Sequence, residues 1–142
     1  MLVRRVEPGR TFMGRMETGD DLLNKLTEFC IRENITHGQV SAIGALARAT
    51  IGFYNGVTLE YEIVDYENHC ELVGLQGNIS LKEGRPFVHA HISIADPKGN
   101  MLGGHLFEGC TVFACEWIFR ELIPDKPLER QYHKQTGLSL WE

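Results

Sequence analysis

The segment Phe87-Val88-His89-Ala90-His91-Ile92-Ser93-Ile94-Ala95 constrains the fold more than any other in this chain. It alternates along a β-branched, apolar run, the period-2 pattern of a half-buried strand. Asp96-Pro97-Lys98-Gly99-Asn100 follows as a turn cluster, with Gly99 available for the φ > 0 position of a three-residue hairpin loop. A loop centred on Lys98 sets His91 opposite His105 of Gly103-Gly104-His105, and His89 opposite Phe107. A one-residue bulge would break that register.

The two faces of this hairpin differ in chemistry. Val88, Ala90, Ile92 and Ile94 share one face with Leu102, Gly104 and Leu106, a core face. His89, His91 and Ser93 share the other with Gly103, His105 and Phe107. Opposed Cβ atoms lie roughly 4.5–5.5 Å apart, and same-face neighbours on one strand roughly 6.5–7 Å apart. Three imidazoles at such spacings can converge on one ion. Gly103 and Gly104 leave room for close backbone approach or for a ligand. On spacing alone two readings stand: a metal site, or a polar or interface sheet face whose histidines hydrogen-bond to neighbours.

The rest of the chain supplies one principal helix and more strands. Thr18-Gly19-Asp20-Asp21 offers a capping aspartate ahead of Leu22, Leu23, Leu26, Phe29 and Cys30 at helical spacing. Asn34 and Gly38 mark the end, so the helix covers about residues 20–34 and packs on the core. Strand-like runs lie at 11–17, 39–43, 46–54, 57–65, 70–80, 86–95, 101–107 and 111–119, and residues 138–141 form a last short one. From Pro124 the chain turns polar. This order predicts an α+β fold over residues 1–142 as one domain, with a mainly antiparallel sheet of six to eight strands. The strand with Phe113, Trp117 and Phe119 seals either an interface or a core.

Composition excludes several functions. No apolar run approaches the roughly 20 residues of a membrane span. Residues 1–9 are basic without a long apolar core, so no secretory signal and a cytoplasmic location are expected. Cys30, Cys70, Cys110 and Cys115 form no C-x-x-C pair, which disfavours a thiolate zinc site and predicts buried reduced thiols. Net charge is −5 and the 14 Lys and Arg are scattered, so no basic patch for phosphates is visible.

Glu116 is the second residue of interest. On a strand it alternates with Ala114 and Ile118, on an apolar face where a carboxylate is costly unless paired. It is a fourth ligand, an acceptor for a ligand histidine or a general base; the alternatives are a salt bridge or a subunit contact. His69 and Glu71 share a face of another strand, with nothing to place it beside the hairpin. His37 and His133 are expected at the surface. Arg85 is either a turn arginine in water or an anchor for an anion.

These residues also carry a resemblance. Leu22-Leu23, Ala42-Ile43-Gly44-Ala45-Leu46, Glu71-Leu72-Val73-Gly74-Leu75-Gln76-Gly77, Val88-His89-Ala90-His91, Gly103-Gly104-His105-Leu106, Gly109 and Glu116 make nearly the whole chain resemble a stand-alone PPC (plant and prokaryote conserved, DUF296) domain. The resemblance implies a compact α/β fold, a homotrimer, and a metal held by His89, His91 and His105. Asn68-His69-Cys70-Glu71-Leu72-Val73 replaces the plant signature Gly-Arg-Phe-Glu-Ile-Leu, so the partner contacts of that motif do not carry over. Three neutral imidazoles suit Zn²⁺ and leave a fourth position for water, a small molecule or an anion. The reading is a small trimeric zinc-binding protein. The alternatives are a DNA-associated regulator of the PPC type, and a zinc-dependent hydrolase or lyase with Glu116 as proton acceptor.

Overall fold

Residues 38–55 build the strand around which the others are arranged. The computed structural model describes residues 1–142. Its elements are β1 (Val6–Met16), α1 (Leu22–Arg32), β2 (Gly38–Asn55), β3 (Glu60–Tyr66), β4 (Cys70–Lys82), β5 (Arg85–Ala95), β6 (Met101–Leu106), β7 (Thr111–Pro124), β8 (Glu129–His133) and β9 (Leu138–Trp141). The α+β expectation holds, with nine strands in one sheet. Runs 39–43 and 46–54 are one bulged strand, and residues 129–133, read above as polar tail, add another. All ladders are antiparallel except β4–β8.

The 18-residue β2 bends, and the bend shapes the molecule. Its first half pairs with β7 on one edge and β4 on the other. The register slips near Ala42–Gly44 and again around Leu46. A bulge adds a residue and turns the strand, and the second half then pairs with β3 and, at Ile51 and Gly52, with β6. The ladder β2–β4–β5–β6 therefore closes back on β2. At Gly44 (φ +153°) a Cβ would collide with the Ala114 carbonyl oxygen, so only glycine lets β7 pass this closely.

Helix α1 seals the inner face. Asp21 caps it, its Oδ1 accepting the Asn24 N–H at 3.0 Å, while its Oδ2 accepts the Gly109 N–H at 2.8 Å. That second bond ties the helix start to the turn before β7. The αL conformation of Asn34 (φ 54°) ends it. Leu22, Leu26, Phe29 and Cys30 pack against Val40, Leu46, Leu72, Leu75, Val88, Ile92, Ile94, Leu106 and Phe119. Burying each large side chain contributes about 1.5–3 kcal/mol. Phe29 stands at the centre of an aromatic group with Phe12, Trp117 and Phe119, at centroid distances of 5.1, 4.8 and 5.4 Å. Of the three aromatics on β7, Phe119 thus belongs to the core, whereas Phe113 is half exposed. All four cysteines are buried free thiols. No helix is long and apolar enough to cross a membrane.

Candidate metal centre

The hairpin forms in the expected register over its lower part. His91 pairs with His105, Ile92 with Gly104, and Ala95 with Met101. Gly99 takes φ +83°, and Asp96 Oδ1 accepts the Lys98 and Asn100 N–H groups, closing the three-residue loop. Two details differ. Leu102 is exposed rather than core, although its partner Ile94 is buried. His89 does not pair with Phe107: β6 ends at Leu106, and the Phe107 N–H donates instead to Thr50 of β2. Gly104 allows this shift of allegiance, since a Cβ there would lie 2.6 Å from the Gly52 carbonyl oxygen.

The pleat and the pairing together gather the three imidazoles. Ring centroids are 5.4 Å apart for His89–His91, 5.1 Å for His89–His105 and 5.5 Å for His91–His105. One ligand nitrogen from each lies within 4.8 Å of the others. Tyr61 of β3 and Phe107 wall the cluster, each 5.0 Å from the His105 ring. Arg130 of β8 brings Nη2 to 3.3 Å from His89 Nδ1. A cavity of ≈ 430 Å³ opens beside His89 and His91, floored by Gln39, Gln76 and Asn78.

The electrostatics favour neutral rings. Burial first, then the Arg130 charge and His91, push the His89 pKa down to about 4. Burial, then His89, His91 and Arg130, do the same to His105, also to about 4. A neutral imidazole is the form that binds a metal. His105 Nδ1 is buried without a hydrogen-bond partner, a deficit of about 1–3 kcal/mol for a polar atom. Nitrogens around a tetrahedral ion at zinc–nitrogen bond length lie about 3.3 Å apart, so small rotamer changes bring this set to bonding distance. The residues fit such an ion.

Other expected site residues lie elsewhere. Glu116 is exposed on β7, with β2 and β4 between it and β5. It lines a second, larger groove of ≈ 660 Å³ with Met13, Ile43, Val73, Trp117 and Ile118. His69 stacks edge-on to Phe113 at 4.6 Å, and Glu71 pairs with Ala95, four residues along β5 from His91. His37 is buried rather than at the surface, its Nε2 accepting the Leu128 N–H at 2.9 Å. His133 is half-buried, bonded to Thr136. Arg85 is exposed at the start of β5, beside the β4–β5 turn. The basic residue that does reach the histidines, Arg130, carried no signal, because its short strand is polar in composition.

Comparison with known proteins agrees with this architecture. The model of the Plants and Prokaryotes Conserved (PCC) domain, which is the PPC domain of the resemblance, matches residues 3–123. The chain belongs to the PCC family. This PCC chain is 37% identical to a metal-containing protein from Archaeoglobus fulgidus, covering 100% of this chain and 99% of that one at a TM-score of 0.95. It is 38% identical to a PPC protein from Pyrococcus horikoshii, covering 100% and 97% at a TM-score of 0.94. A candidate DNA-binding protein from Ralstonia eutropha is 26% identical, with 92% and 89% covered and a TM-score of 0.78. The PCC chain also aligns, at 30% identity over 129 residues, with the bifunctional protein GlmU of a Synechococcus strain. It spans 18% of the length of the curated relatives it matches.

Proposed function

We propose that this PCC chain binds a metal ion, with zinc held by His89, His91 and His105 and a fourth position left to water or a small molecule or anion. The observation that carries the reading is the convergence of three imidazole nitrogens within 4.8 Å, on rings whose burial keeps two of them neutral. The description of the Archaeoglobus relative as metal-containing supports it. Zinc suits three imidazoles, and three protein ligands are the mark of an open site rather than a closed structural one.

Each residue has a part in this reading. The β5–β6 ladder orients His91 and His105, and the pleat orients His89. Tyr61 and Phe107 shield one wall from water. When bound, zinc supplies Lewis acidity and lowers the pKa of a coordinated water. The chain's own carboxylates do not join the cluster, so a hydrolase or lyase reading requires a proton acceptor from a second copy or from the substrate. Glu116 lies on an exposed groove away from the cluster.

A homotrimer is part of the proposal. Met13, Ile43, Val73 and Ile118 leave 79%, 58%, 46% and 37% of their surface exposed around one groove, which supports a covered face in the assembly. One shared hydrophobic core supports reading residues 1–142 as one domain. Four buried thiols, none paired, fit a reducing compartment such as the cytoplasm.

A second reading, DNA association, rests on the Ralstonia relative described as a candidate DNA-binding protein. The charge of −5 opposes it. Elemental analysis of untagged protein purified without chelators separates the two. Near one zinc per chain, lost in a His89→Ala/His91→Ala/His105→Ala variant, supports the metal reading. No metal in either protein would overturn it.

A further inference from the structure

A buried positive charge stands beside the three histidines without a counter-ion. Arg130 leaves 8% of its surface exposed. Its Nε–H donates to Ser80 Oγ at 2.9 Å and its Nη1 to the Ser139 carbonyl at 3.1 Å. Nη2 donates to Asn78 Oδ1 at 2.9 Å and meets His89 Nδ1 at 3.3 Å. The rings of Phe87 and Trp141 stack on the guanidinium, 5.3 and 5.5 Å from Cζ. Every one of these partners is neutral. The ion pairs of the molecule engage Arg5, Arg10, Arg15, Lys25, Arg32 and Arg48, but not Arg130.

Neutral acceptors position a guanidinium without neutralising it. The group stays charged at any physiological pH, and a buried charge is strongly unfavourable until an opposite one joins it. Packing β8 against β4 would not require an arginine whose fork ends at a histidine of the cluster. The contact with His89 is the longest of the four, so it is the one a stronger acceptor displaces most readily. A cation among the histidines would place two positive centres side by side, and an anion between them relieves both. β8 also lies beyond the residues matched by the PCC model.

We propose that Arg130 anchors a small oxyanion, a carboxylate or a phosphate, that also occupies the open position of the three-histidine site. The inference rests on the metal reading above. The Nη2–H released from His89 can donate to an oxygen of either group, whereas Arg85, at the start of β5, is exposed.

The test uses cobalt(II) in place of zinc, because its visible absorption reports directly on its ligands. Cobalt-loaded wild type, Arg130→Gln and Arg130→Lys are titrated with acetate and with inorganic phosphate at fixed ionic strength. The expected result is a saturable spectral change in wild type with at least one anion, which identifies the preferred oxyanion. In Arg130→Gln the midpoint rises by about tenfold or more, the loss expected for a charge-assisted hydrogen bond. Cobalt affinity is measured for each variant as well, and the anion midpoints are compared at saturating cobalt. Arg130→Lys, which keeps the charge, falls between the two and carries the test if the glutamine variant does not fold. Unchanged midpoints in both variants, or no response of the wild type to either anion, would overturn the proposal. Failure of wild type to bind cobalt would overturn the metal reading instead. Arg130 would then be judged by calorimetric titration of the metal-free protein with the same anions, where loss of binding in Arg130→Gln supports the anchor and equal binding overturns it.

Discussion

His91 and His105 face one another across the β5–β6 ladder with ring centroids 5.5 Å apart, and His89 stands two residues from His91 on the same face of the strand. The strand pleat fixes one pair and the hairpin register the other. His91 is the most exposed of the three, so its removal separates binding from stability. His91→Ala is expected to weaken zinc by at least about 100-fold, since losing a ligand costs no less than losing its supporting partner. Its effect on metal-free stability should stay within about 0.5 kcal/mol. Competition with a chromophoric chelator and a denaturant melt check the two halves.

Acid should destabilise the metal-free protein through the same site. The pKa values of His89 and His105 lie near 4 in the folded chain against an ordinary 6.5. Between those values the unfolded chain binds protons that the folded one does not, so stability falls as pH drops. It is fully present above about 6.5 and levels off below about 4. Buried His37, lowered by burial as well, adds in the same direction. Melting temperatures of metal-free protein across this window should fall more steeply for wild type than for a His89→Gln/His105→Gln variant.

Phe29→Ala removes the ring shared by Phe12, Trp117 and Phe119 and should cost about 3–5 kcal/mol. The helix lies on the face opposite the histidines. Any variant protein that remains folded should therefore bind zinc as wild type does. Urea melts and metal titration together test this separation of core from site.

The groove around Glu116 tests the assembly. Ile118→Arg places a charge among Met13, Ile43 and Val73. Sedimentation equilibrium should show a trimer for wild type and smaller species for the variant, with circular dichroism unchanged. A monomeric wild type would contradict the assembly reading.

Much of this was legible in the residues, for identifiable reasons. Alternation through 87–95 and the Gly99 turn prescribe a register that sets His91 opposite His105. Asp21 and the helical spacing of Leu22, Leu26 and Phe29 likewise announce α1. What escaped depends on contacts distant in sequence. Arg130 sits in a short polar strand whose only mark is its parallel pairing with β4, formed by residues some fifty positions away. Glu116 lies exposed beside Ile43 and Ile118, and the period of a strand does not say that two other strands separate it from the histidines. His37 follows a helix end, where exposure is the usual outcome, yet the segment before β8 folds over it and supplies the Leu128 N–H.

One metal ion among His89, His91 and His105 would be visible by diffraction. The most direct measurement is anomalous scattering at the zinc edge, from crystals grown without chelators and in the presence of zinc. The expected result is an anomalous peak bonded to a nitrogen of all three imidazoles, with a non-protein ligand in the fourth position. Full occupancy elsewhere in the molecule, or no peak among these rings at saturating zinc, would contradict it.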